Sequence, residues 1–146
     1  MPTPRKPRAP RAKPGTSPGN AARGEHSLEL GGRTYLLRPS MEAVNAIEDA
    51  LDLSSAQILA RANASALRLA EVAVIMAELV RAGAAADDAM TKGVSPAGME
   101  PLVYERGVAG LMPFLTLLFL EVVSGGRDRE GNVAAVSMTT GTTTTA

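Results

Sequence analysis

Polar and apolar residues alternate on either side of a glycine pair in Leu28-Glu29-Leu30-Gly31-Gly32-Arg33-Thr34-Tyr35-Leu36-Leu37. A period of two marks strands with one buried face, and paired glycines supply a two-residue turn whose positions both need positive φ. The spacing predicts a short hairpin in which Leu30 lies opposite Arg33 and Leu28 opposite Tyr35, with Leu28, Leu30, Tyr35 and Leu37 on one face. Pro39 ends the ladder, and Ser40 is a good N-cap for a helix carrying Glu42 in its first turn.

Beyond the hairpin the apolar spacing lengthens to three and four. Val44, Ile47 and Leu51 form one stripe on a helix over about 41–51, with Glu42, Asn45, Glu48 and Asp49 outward. Ser54 or Ser55 caps a short second helix carrying Ile58, Leu59 and Ala62. Leu69, Val72, Ala73, Met76, Leu79 and Val80 fit a third, with Arg68, Glu71, Glu78 and Arg81 on its wet side and Gly83 as its stop. Residues 84–93 read as a loop or frayed turn. Ser95-Pro96 then restarts a helix in which Leu102, Val103 and Tyr104 turn inward.

The last element, Val108 to Val123, is apolar around nearly its whole circumference, so it is either central in the fold or covered by another chain. Pro113 is expected to bend it or split it at Met112. A membrane span is not indicated, because only fourteen uncharged residues separate Arg106 from Glu121, short of the roughly 20 needed. The glycines at 125 and 126 read as a terminator. Partner contact is assigned to this helix, through Leu111, Phe114, Leu117, Leu118 and Leu120.

Charge divides the chain in a way its net value of zero conceals. Residues 1–24 hold six basic side chains and no acid, rich in Pro, Ala and Gly, and are expected to form a disordered basic arm. Residues 25–126 form the helical domain, with seven basic and thirteen acidic side chains. Residues 127–146 end in a threonine-rich run and are expected to be a second disordered tail. Without interleaved aromatic residues the arm offers phosphates only non-specific contact, so no specific nucleic acid is expected; a small nucleic-acid-binding accessory protein is the weakest reading.

Catalytic chemistry finds no constellation. There is no cysteine, and the single histidine, His26, has no second histidine to complete a metal site or triad, so it reads as an ordinary hairpin side chain. The acidic pairs Asp87-Asp88 and Glu48-Asp49 read as solvated surface, and no glycine pair has phosphate-loop spacing. No cofactor, metal or catalytic residue is assigned. Tyr35, Tyr104, Phe114 and Phe119 are the only aromatic rings besides that histidine, so the core is built of aliphatic residues, which favours helices over a wide sheet.

The run LELGGRTYLLRPSMEAVNAIE resembles the start of the small tail protein family of gene transfer agents and related siphophages, described as tail-tube-like or as tail assembly chaperones. The likeness covers about residues 21–125, and Pro101 and Pro113 depart from the family's alanine-rich second half. The resemblance implies a non-enzymatic role in tail morphogenesis, as a chaperone for the tape-measure protein or as a structural tail-tube or connector subunit. It implies tape-measure or other tail proteins as partners, self-association as an option, no membrane, and a place in the bacterial cytoplasm or the particle. The fold expected is mainly α, an N-terminal β-hairpin packed on four or five short helices.

The turn is open to a direct test. Gly31→Val or Gly32→Val forces a β-branched residue to positive φ and is expected to cost about 1 to 2 kcal/mol in denaturant melts.

Overall fold

A computed structural model describes residues 25–133; the basic arm and the threonine-rich end lie outside the described residues. The chain runs β1 (His26–Leu30), β2 (Arg33–Leu37), α1 (Met41–Leu51), α2 (Ser55–Asn63), α3 (Leu69–Gly83), α4 (Ala89–Lys92), α5 (Pro96–Arg106) and α6 (Val108–Ser124). The fold is mainly helical, with the expected hairpin at its start.

Register in the hairpin is set by its turn. Leu30 pairs with Arg33, Leu28 with Tyr35 and His26 with Leu37, antiparallel. Gly31 and Gly32 take φ of 59° and 76°, the pair of positive values that joins strands in two residues. Leu30 and Leu37 are fully buried, while Leu28 and Tyr35 pack half-buried against the core. The outer end of the hairpin is tied down by Arg33, which donates to Thr91 Oγ1 at 2.9 Å and to Asp88 at 3.3 Å.

Helix starts follow the capping signals. Ser40 accepts from the Ala43 N–H, Ser54 from Gln57 and Ser95 from Gly98. Gln57 returns a bond to the Ser54 N–H at 2.8 Å and closes a capping box. The segment expected to be a loop contains one turn of helix, α4, because Asp88 accepts from the Thr91 N–H at 3.0 Å. That raises the helix count to six among the described residues, one more than the sequence suggests.

The centre of the fold is α3. Eight of its fifteen residues are buried, including Ile75 and Ala77 in addition to the expected stripe, because α1, α5 and β2 all pack on it. Glu71, expected on the wet side, is buried, and the reason is local: its Oε2 accepts the Arg68 backbone N–H at 3.0 Å and its Oε1 accepts two bonds from the Arg68 guanidinium. Glu71 thereby satisfies an orphan donor at the helix start. Its carboxyl is held below the usual 4.5, first by the Arg68 N–H, against the opposing effect of burial, and then by the Arg68 and Arg61 guanidinium groups.

Gly83 ends α3 but does not cap it with positive φ as a terminating glycine would; Ala84 follows in extended conformation. Its importance is space, since a Cβ there would lie 2.0 Å from the Leu36 carbonyl oxygen. The same contact lets the Arg38 N–H donate to the Leu79 carbonyl at 3.1 Å, so the end of β2 is bonded to a helix instead of a third strand.

Three inward assignments also change. In α1 the buried pair is Ala43 and Ile47, with Val44 and Leu51 partly exposed. In α5 Met99 and Val103 are buried and Tyr104 is 75% exposed. Pro113 does not split α6, which runs unbroken from Val108 to Ser124. The carbonyl it orphans, that of Ala109 four residues earlier, lies on the exposed side where water can satisfy it, and Pro101 frees the exposed Ala97 in the same way.

Residues 127–133, assigned above to the C-terminal tail, form a tight turn docked on the start of α1. Arg127 and Val133 make an antiparallel bridge, Asp128 accepts from the Glu130 and Asn132 N–H groups, and the Arg129 carbonyl takes the Met41 N–H at 2.8 Å. The turn thus supplies an acceptor that the first residue of α1 lacks within its own helix.

Three substitutions probe this packing. Gly83→Ala is expected to cost about 2 to 4 kcal/mol in urea unfolding, because the obstacle is backbone, whereas Gly110→Ala in α6, with nothing within 4 Å of the added carbon, is expected to be neutral or to stabilise by up to about 1 kcal/mol. Glu71→Gln keeps an acceptor for the Arg68 N–H but loses the charge, at a cost of roughly 0.5 to 1.5 kcal/mol at neutral pH. Since the folded-state pKa of Glu71 is depressed, its contribution is complete above about pH 4.5 and is lost as pH falls through the folded value; the gap between wild type and variant should close over that acid range.

Candidate functional site

The last helix is placed by a sharp corner. Gly107 joins α5 to α6 with the two axes bent by 112°, which lays α6 along α2 and leaves it at the edge of the bundle, not at its centre. Leu111, Met112, Leu115, Leu118 and Phe119 form its buried side, packed chiefly toward Ile58 and Ala62 of α2. No single described helix is long and apolar enough to cross a membrane.

The opposite side of α6 is uncovered. Leu117 is 54% exposed, Leu120 49% and Val123 43%, and Ala109, Gly110 and Pro113 continue the strip toward the helix start. Beside it runs a groove of about 450 Å³, walled by Ala62 and Asn63 at the end of α2, by Ser65 just after it, and by Ala109, Pro113, Thr116, Leu117 and Leu120 from α6, together with the buried Met112. None of these residues is charged. In a chain with 21% charged residues, an uncharged strip of this length makes this face the candidate contact surface.

Of the five residues assigned to partner contact, the structure leaves two for it. Leu117 and Leu120 stand on the strip, whereas Leu111 and Leu118 are fully buried because their positions fall on the α2 side of the helix. Phe114 is half-buried, its ring edge-to-face with His26 at 5.9 Å. Val123, Pro113 and Ala109 were missed, although Val123 lies three residues from Leu120, Pro113 four from Leu117 and Ala109 four from Pro113, which places them on the same face. The α2 wall had no signal in the sequence, since only the tertiary packing brings Asn63 and Ser65 to α6.

The polar groups flanking α6 serve the fold. His26 Nε2 lies 3.0 Å from Glu121 Oε2, the same oxygen that receives the Arg127 guanidinium, so the first strand, α6 and the docked turn meet at one carboxylate. Arg127 also donates to the Gly131 carbonyl at 2.7 Å. The acidic pairs are partly structural too: Asp88 caps α4, and Glu48 accepts the Ser55 N–H at 2.7 Å. Bonds from Thr91 hold the Asp88 carboxyl below its usual range, and bonds from Asn132 do the same for Asp128.

A second depression, of about 380 Å³, contains Arg38 and Arg81, but Glu25 and Glu78 answer these cations, and Glu42 and Glu130 add negative charge, so it does not concentrate positive potential for an anion. No group of three or more His, Cys, Asp or Glu that could hold a metal ion occurs among the described residues.

The chain matches the model of a protein family described as phage tail tube protein, GTA-gp10, over residues 23–124. No curated protein and no solved structure matches it. The match begins just ahead of β1 and ends on the last residue of α6, so it takes in the hairpin, all six helices and the exposed strip. The chain therefore belongs to the phage tail tube protein, GTA-gp10, family.

Proposed function

We propose that this tail protein is a non-enzymatic morphogenesis factor, an assembly chaperone that holds apolar helical stretches of the tape-measure protein until tail-tube subunits polymerise around it. The observation that carries the reading is the uncharged strip along α6, with its adjoining groove, because a helix-sized apolar surface is what an amphipathic helical client needs. The two-stranded sheet supports the same choice. Ring-forming tube walls are built from extended sheets, and the described residues contribute one hairpin whose second strand already leans on α3.

The second reading is a structural tail-tube or connector subunit that stays in the particle, and the family's own description favours it. The two differ in where the chain ends up. A chaperone works in the host cytoplasm and is depleted from finished particles, whereas a subunit is present in them at a fixed ratio.

Co-expression separates these outcomes. The intact chain is expected to keep the tape-measure protein soluble and to co-purify with it. Leu117→Glu or Leu120→Glu should cut that recovery at least about tenfold, since an unpaired carboxylate pressed into an apolar contact costs several kcal/mol. Both side chains are about half exposed, so the fold should survive, which far-UV circular dichroism checks. A chain that ignores the tape-measure protein but appears stoichiometrically in purified particles is a structural subunit.

A further inference from the structure

The strip on α6 is complementary to itself. Taking a two-fold axis across the strip at the level of Thr116 and Leu117, an antiparallel copy of the helix sets Leu120 against Pro113, Val123 against Ala109 and Ser124 against Gly110, with Leu117 meeting the Leu117 of the copy. Away from the axis each larger side chain of the C-terminal half meets a smaller residue of the N-terminal half, and every residue of this register is exposed. The groove runs beside the strip from Ala109 to Leu120, and Leu120 of a second copy would enter it beside Pro113. We propose that in the free protein two copies pair antiparallel along α6 through this register.

Electrostatics selects this face and this direction. Residues 25–126 carry thirteen acidic and seven basic side chains, and along the uncharged strip two such bodies meet without bringing like charges together. α6 has no acid in its first turn and no base in its last, so its macrodipole is unopposed along the chain, and an antiparallel neighbour compensates it. The size of the contact fixes its strength. Sixteen residues of helix, from Ala109 to Ser124, span ~24 Å at 1.5 Å each, and a single helix face is ~10 Å wide, so a few hundred Å² per copy is covered, below the ~800 Å² of a permanent interface. The pair is therefore weak and exchanging, and it leaves the strip accessible to a competing helix.

Cross-linking in the full-length chain tests the register, because the protein has no cysteine of its own. In the proposed pair position 113 of one copy faces position 120 of the other, while each position lies seven residues, ~10 Å of helix, from its own counterpart, beyond the ~7 Å limit for a disulfide. A mixture of Pro113→Cys and Leu120→Cys should form a mixed disulfide dimer under mild oxidation, several-fold faster than either variant alone. Sedimentation of the wild-type chain should show an average mass rising with concentration, and Leu120→Glu should abolish the rise while circular dichroism stays unchanged. Faster linking of each variant with itself overturns the antiparallel register. A wild-type chain that stays monomeric at every concentration, or a Leu120→Glu chain that still associates, overturns the α6 pairing altogether. None of these measurements involves the tape-measure protein, so the pairing stands or falls separately from the chaperone reading.

Discussion

The contact between the end of α3 and the backbone of β2 is the constraint on which the rest of the structure depends. A two-stranded hairpin is marginal in water by itself, so β1 and β2 persist because they have a surface to lie on. Gly83 allows that surface to come close enough for the strand's continuation to bond to the helix, Arg38 N–H to Leu79 carbonyl. Leu37 is thereby pressed into the core and Pro39 is brought to the start of α1, where the 127–133 turn closes over it so tightly that a Cβ at Gly131 would lie 3.0 Å from the Pro39 carbonyl oxygen. The start and end of the described chain are thus anchored through the same corner.

What the sequence made legible was local. The hairpin register followed from Gly31-Gly32, and the helix starts from Ser40, Ser54 and Ser95, because turn and cap chemistry is decided within a few residues. The identity of the central helix was not legible. α6 is the more apolar segment, but α3 is the more enclosed, since Ala73 and Ala77 let neighbouring elements approach from several sides while the extra leucines of α6 point away from the bundle. Hydrophobic pattern reports how much surface asks to be buried, and it is silent on which neighbour arrives to bury it.

Glu71 failed in the opposite sense. It read as a solvent-facing charge and is buried, held by the Arg68 backbone N–H at the start of α3, and Asp128, though exposed, is likewise tied to backbone N–H groups inside the 127–133 turn. A carboxylate three residues inside a helix with a poor N-cap residue such as Arg68 is a capping candidate whatever its place on the helical wheel, and that signal was available. The turn at 127–133 was harder to foresee, because Arg127-Asp128-Arg129-Glu130 has the composition of a solvated tail and its docking depends on Met41, remote in sequence, as well as on Glu121.

For the candidate site the division is sharper, since the sequence pointed to α6 but could not tell its exposed face from its buried one. Leu111 and Leu118 lie two turns apart on the α2 side, and Leu117 and Leu120 lie on the other, a distinction of about one residue in helical phase that only packing resolves. That packing leaves about half of the accessible surface of Leu117 and Leu120 in water, at a hydrophobic cost on the order of 1 kcal/mol for each. A chain needing only to fold would lose nothing by placing polar residues there. Exposed leucines in phase along one face, continued by small residues and bounded by no charge, therefore favour contact over stability as the role of this strip. Its modest size argues further that the contact is one the protein makes and releases, which suits a step in assembly better than a permanent joint.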